Sequence, residues 1–138
     1  MKPLLLVVED NPADVQLLKW ALERAELDCE LMVIDDGSAA LDYVQQRGQY
    51  ANVKVPNLAL LDLNLPKYDG IEILQALRSN PAFAEVPVAI LSSSSSPRER
   101  ARLDTYGVAR YITKPADLEQ FLAIGFVLKE LLSPSPAR

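Results

Sequence analysis

The sequence contains no histidine. That removes the commonest general base, the commonest metal ligand and any phosphohistidine carrier at once. It contains one cysteine, Cys29, so no disulfide can form within the chain. A lone thiol fits a reducing compartment and reads first as a small buried apolar side chain, not as a reactive group. Long apolar runs are missing too. Met1-Lys2-Pro3 leads into only five apolar residues, Leu4 to Val8, before Glu9-Asp10. A signal peptide or a membrane span needs a longer run, so the expected location is the cytoplasm. Positive charge is scarce: the net charge is −5 and Lys and Arg are nowhere clustered. Phosphate backbones need that charge, which argues against a nucleic-acid binder. No internal repeat and no inter-domain linker is visible.

What is present is the composition of one globular domain. The chain has 138 residues, 49% of them hydrophobic and 24% charged, long enough for a core without disulfides. Residues 1–132 read as the domain and 133–138, with Ser133-Pro134-Ser135-Pro136, as a frayed tail.

Apolar runs of strand length alternate with stretches of helical spacing. The strand candidates are Leu4–Val8, Leu31–Ile34, Leu58–Asp62, Val88–Leu91 and Arg110–Ile112. Several are apolar at successive positions, as in parallel strands buried on both faces. Asn11-Pro12-Ala13-Asp14 opens the first helix with a cap, a proline and an early acid. Ser38 is the expected cap of the second. The third spans about Gly70 to Arg78. The fourth runs from Pro97 towards Gly107, carries few apolar residues and should be the most loosely docked. The last is expected as one helix from Asp117 to Leu132. The sum is α/β, a (βα)5 unit with a mostly parallel sheet and helices on both faces. One open arrangement of such a sheet has the order 2-1-3-4-5 with a switch point between strands 1 and 3, where ligands bind at the carboxyl ends.

Those ends carry the chemistry. Glu9-Asp10 follows strand 1 and Asp62 closes strand 3. In that order the strands are neighbours, so three carboxylates converge and would repel one another. A hard divalent cation such as Mg²⁺ relieves the repulsion and keeps coordination positions free for phosphate oxygens. Taken singly, each acid could as well cap a loop; the convergence of three is what points to a site. Ser92 ends strand 4 and can offer a hydroxyl to an anion, while the rest of the serine run reads as loop. Lys114-Pro115 follows strand 5, placing a cation in the crevice and leaving the following bond open to the cis form. A carboxylate can attack phosphorus to give an acyl phosphate, with cations stabilising the transferring oxygens. No residue is placed to act as a general base for its hydrolysis, so such a state should persist.

This pattern resembles the receiver domain of bacterial response regulators over about residues 3 to 132. The resemblance rests on Glu9-Asp10, Asp62, Ser92 and Lys114-Pro115, with Tyr111 three residues before the lysine. It implies a flavodoxin-like three-layer sandwich. It also implies Asp62 as phosphoacceptor for a sensor histidine kinase, with Mg²⁺ held by Glu9, Asp10, Asp62 and the backbone carbonyl of Asn64. Ser92 and Lys114 would read the phosphoryl group, and Ser92 and Tyr111 would form a coupled switch signalling through the fourth helix, fifth strand and last helix. Glu9 stands where the family more often has Asp, and Ser92 where it more often has Thr. Val8-Glu9-Asp10-Asn11-Pro12-Ala13-Asp14, the stretch Arg47–Pro56 and Tyr111-Ile112-Thr113-Lys114-Pro115 look like the small regulators that partner bacterial phytochrome kinases. That narrower resemblance implies a light-regulated phosphodonor and a homodimer.

Two other classes share parts of this pattern. Haloacid-dehalogenase-type phosphatases also use an aspartate after a strand, but they need a second acid two residues on, where this chain has Asn64, and a cap insertion it lacks. A phosphorylation-independent docking module would not need Asp62, Ser92 and Lys114 intact. The expectation is a signalling protein, not a turnover enzyme, and with the chain ending at 138 no DNA-binding output segment is expected. On the last helix Leu118, Phe121, Gly125, Leu128 and Leu132 should face the sheet. Ile124, Val127 and Leu131 form a second apolar stripe, the expected dimer surface.

Overall fold

A computed structural model describes residues 2–65, 69–93 and 96–132. Part of the loop after Asp62, two serines after Ser93 and the expected tail at 133–138 therefore lie outside the described residues.

Five strands form one sheet: β1 (Leu4–Val8), β2 (Glu30–Ile34), β3 (Leu58–Asp62), β4 (Val88–Ser92) and β5 (Arg110–Thr113). Their order is β2-β1-β3-β4-β5, and every pair is parallel. All five residues of β3 and of β4 are buried, which is why these runs lack alternation. The side chains still alternate in space. Leu6, Val8, Ala59, Leu61, Val88 and Ile90 enter one core with Tyr43, Leu74 and Phe83. Leu5, Val7, Leu58, Leu60, Ala89 and Leu91 enter a second with Leu18, Phe121 and Leu128.

The helices are α1 (Pro12–Arg24), α2 (Gly37–Val44), α3 (Gly70–Ser79), α4 (Pro97–Asp104), α5 (Leu118–Leu122) and α6 (Ile124–Leu132), with a short 3-10 turn at Gly48–Tyr50. The Asn11 side chain caps α1, accepting from the N–H groups of Ala13 and Asp14 at 2.9 and 3.4 Å. The cap of α2 is Asp36, two residues before the expected Ser38; its carboxylate accepts from the Ser38 N–H at 3.2 Å. Asp69 caps α3 and Ser96 caps α4. Among its residues α4 buries only Leu103, as its thin apolar content predicts. The described peptide bonds are all trans, Lys114–Pro115 included.

The last helix departs from expectation. It breaks at Ala123, whose N–H is shared between the carbonyls of Glu119 and Phe121, and Phe126 N–H reaches back only three residues to Ala123. This tight turn advances the helical phase. Ile124 is 3% exposed and lies in the second core with Phe121 and Leu128, so it is not part of an outer surface as expected. Val127 and Leu131 are only partly buried, Phe126 is 52% exposed, and Leu118 points outward although expected inward. Gly125 is the closest approach between α6 and α1: a Cβ there would lie 2.0 Å from the Ala21 carbonyl oxygen.

Candidate functional site

Strand alternation arranges the carboxyl edge of the sheet. Continued past the strand ends, the parity of Val7, Leu60 and Ile112 carries Glu9, Asp62 and Lys114 to the α1 side. The parity of Ile90 carries Ser92 to the α4 side, with Tyr111.

The distances bear this out. Lys114 Nζ lies 3.1 Å from Glu9 Oε1, 3.2 Å from Asp62 Oδ2 and 2.9 Å from Asp14 Oδ2. The Lys114 backbone N–H donates to the Ser92 carbonyl at 2.7 Å, which ties the lysine to the end of β4. Glu9 and Asp62 are 1% and 2% exposed and Ser92 4%, while Asp10 is partly buried. Asp62 Oδ1 accepts from the Asn64 N–H at 2.9 Å, and the Asn64 side chain accepts from the Ser93 N–H and hydroxyl at 3.4 and 3.3 Å.

Burial is the largest influence on Glu9. With the hydrogen bond and charge of Asp62, it pushes the carboxyl up to about 7, against the Asn11 N–H and Lys114, which favour the anion. For Lys114, burial alone would lower the pKa. The hydrogen bond to Asp14 and the charges of Asp62 and Glu9 outweigh it, and the ammonium is held above the usual lysine range. Burial also pushes the Cys29 thiol up, so this side chain is no ready thiolate.

The donor set fits a hard cation. One oxygen from each of Glu9, Asp10 and Asp62 lies within 4.8 Å of the others. Glu9 Oε1 pairs with Lys114 by charge, but without hydrogen-bond geometry, so it is a buried carboxylate oxygen with no hydrogen-bond donor. Such an oxygen is costly to bury and suited to a metal. Asn64 is exposed beside this cluster.

On the α4 side Tyr111 is partly buried against the first core. Its hydroxyl donates to Asp104 Oδ1 at 2.6 Å and lies 3.1 Å from the Arg100 carbonyl oxygen, and the Arg100 guanidinium stands 4.9 Å from the ring centre. Burial, then the Asp104 contact, raises the phenol to about 12. Between Tyr111, Ser92, Leu63, Ile90 and Leu103 there remains a space of about 10 Å³.

The structure thus brings Glu9, Asp10, Asp62 and Lys114 into one crevice, with Ser92 and Asn64 at its rim. Sequence reasoning missed Asp14, Asp104 and Arg100. The acid at Asp14 was visible as a helix-start signal, but nothing in the spacing told that its carboxylate reaches across to the fifth strand's end.

Comparison with known proteins gives the same picture. Residues 5–124 match the response regulator receiver domain family. The response regulator Rcp1 of Synechocystis sp. is 40% identical over 115 residues, 83% of this chain and 78% of that protein. The crystal structure of the phosphorylated cyanobacterial phytochrome response regulator RcpA superposes with a TM-score of 0.89 at 36% identity, covering 99% of this chain and 100% of that one. The Mn²⁺-bound form of Rcp1 superposes with a TM-score of 0.84 at 36% identity, over 93% and 92% of the two chains.

Proposed function

The chain belongs to the response regulator receiver domain family, and from that membership we propose that it accepts a phosphoryl group on Asp62 from the phosphohistidine of a sensor kinase. The observation that carries the assignment is Lys114 Nζ at 3.2 Å from the buried Asp62 carboxylate, beside the three converging acids. A bond forms between an Asp62 oxygen and phosphorus as the phosphorus–nitrogen bond of the donor breaks, and the imidazole leaves with the electron pair. Lys114 stabilises charge on the transferring oxygens, and the Ser92 hydroxyl meets them from the opposite face of the sheet. Mg²⁺ is the proposed cation, held by Glu9, Asp10, Asp62 and the Asn64 carbonyl; when bound it neutralises the carboxylates and the transferring phosphoryl oxygens.

Phosphorylation draws Ser92 towards the phosphoryl group and Tyr111 towards the space behind it, which alters the surface of α4, β5 and the α5–α6 segment. The protein is a cytoplasmic signalling switch that catalyses no more than its own phosphorylation and slow dephosphorylation. Likeness to a phytochrome response regulator over nearly the whole chain supports a light-regulated kinase as donor. Half-exposed Phe126 beside partly buried Val127 and Leu131 supports a homodimer through the last helical segment. Among the described residues no helix is long and apolar enough to cross a membrane, and no membrane role is proposed.

Acetyl phosphate with Mg²⁺ should label the protein with acid-stable, base-labile phosphate, and Asp62→Asn should abolish the label. Equal labelling of the variant would remove Asp62 as acceptor.

A further inference from the structure

Lys114 makes its shortest ion pair, 2.9 Å, with Asp14, a residue that the reading of Asp62 as phosphoacceptor does not use. Asp14 stands in the first turn of the 13-residue helix α1, its side chain 18% exposed. Its place is fixed by a closed set of bonds. The Asn11 N–H donates to Glu9 Oε2 at 3.1 Å, and the Asn11 side chain accepts from the Asp14 N–H at 3.4 Å. Asp14 then holds Lys114, and Lys114 returns to Glu9.

The three carboxylates around the ammonium are not equivalent. Glu9 and Asp62 belong to the cluster whose oxygens converge for a cation; Asp14 does not. When a cation is bound, two of the lysine's three anchors acquire a competing positive charge, and Asp62 also carries the incoming group. Asp14 is the anchor that keeps its full claim on the ammonium. It holds Nζ where Asp62 Oδ2 is only 3.2 Å away, so the tethered position is already within reach of the reacting carboxylate. A primary ammonium has three protons and can keep Asp14 while donating to a phosphoryl oxygen.

We propose that Asp14 is a positioning residue for phosphoryl acceptance: it fixes Lys114 from the α1 side, independently of the metal ligands. The proposal rests on the reading of Asp62 as phosphoacceptor. Without the tether the flexible four-carbon stem of the lysine samples other rotamers, and orientation of the cation at the transferring oxygens is lost.

The test is a double-mutant cycle on the full chain, reading the limiting rate of phosphorylation by acetyl phosphate at saturating Mg²⁺. Asp14→Ala should slow that rate about tenfold. Asp14→Asn, which keeps an acceptor oxygen without the charge, should fall between. In a Lys114→Ala background, Asp14→Ala should change the rate by less than about twofold, because a residue that acts through the lysine has nothing left to act on. Losses that multiply in the double variant would make Asp14 a general structural residue and overturn the proposal. A faster Asp14→Ala would show that Asp14 competes with the phosphoryl group, and would overturn it too. Calorimetry of Mg²⁺ binding separates positioning from ligation: Asp14→Ala should stay within about threefold of wild type, a change that screened charge alone can give. A loss as large as that of Asp10→Ala would make Asp14 a metal ligand and end the proposal. A wild type that takes no phosphate, like Asp62→Asn, would sink the parent reading; a labelled wild type matched in rate by Asp14→Ala would sink only this one.

Discussion

At the scale of single residues, the proposed switch starts from the contacts that hold Tyr111 against α4. Asp104 and the Arg100 carbonyl meet its hydroxyl, and the Arg100 cation faces its ring. The space behind it, about 10 Å³, holds no more than a water molecule, far less than a phenol. On the proposed switch, where Tyr111 leaves these contacts when Asp62 is phosphorylated, removing one of them shifts the population towards the active state, by as much as that contact was worth. Asp104→Ala should therefore tighten beryllofluoride binding about fivefold, the equivalent of one hydrogen bond of about 1 kcal/mol; unchanged affinity would show that Asp104 is no restraint. Glu9 yields a pH dependence. Its folded pKa is raised to about 7, so its contribution to stability in the absence of metal is complete below the ordinary carboxylate range. That contribution is lost as pH rises through about 7. With EDTA, the wild-type Tm should drop by about 5 °C between pH 5.5 and pH 8 relative to Glu9→Gln, and Mg²⁺ should reduce the drop. A Tm difference that does not vary with pH would refute the assignment. Glu9, Asp10, Asp62 and Lys114 were legible because strand ends and the sheet order bring them together. Asp14 and Asp104 were not, because a helix-borne carboxylate announces its partner only once the helix is docked.

At the scale of elements, boundaries followed from local chemistry, and faces followed only where the helix was regular. Proline marked the starts of α1 and α4, with Asn11 capping the first and Ser96 the second. In α2 the cap is Asp36 and not the expected Ser38, because the Asp36 carboxylate accepts from the N–H two residues on. In the last helix the expected outer stripe was drawn too wide: Ile124 lies in the core beside Leu128, and Phe126, which the stripe left out, is exposed. No residue type there marks the turn at Ala123. What fixes the segment is the Ala21–Gly125 approach, where a methyl group would meet the α1 backbone. Gly125→Ala should destabilise the fold by about 3 kcal/mol, since two packed helices must part. Urea denaturation should show a lower midpoint with unchanged slope, and a wild-type midpoint would mean that α6 is free to slide.

At the scale of the molecule, the two-faced core was legible because continuous apolar runs such as Leu58-Ala59-Leu60-Leu61 have no solvent side, whereas the sheet order came from the known arrangements of such sheets and not from the residues. The outer surfaces were less so, since their character depends on how each helix is rotated. Wild type should sediment as a dimer at micromolar concentration, and Phe126→Glu with Val127→Glu should give a folded monomer; a wild type that is monomeric throughout would end the dimer proposal. The contact between the first and last helices bears on how the protein is made. Ala25 and Lys129, 104 residues apart, are joined by a 2.9 Å hydrogen bond, and Phe121 and Leu128 close the core that Leu18 and Leu22 begin. On the ribosome, the first helix emerges long before the segment that covers it. Leu18 and Leu22 must wait in water or in the keeping of a chaperone until residues 118–132 have emerged. Nascent chains arrested with residue 117 just outside the exit tunnel should be cut rapidly by protease within α1, and chains released past residue 132 should resist.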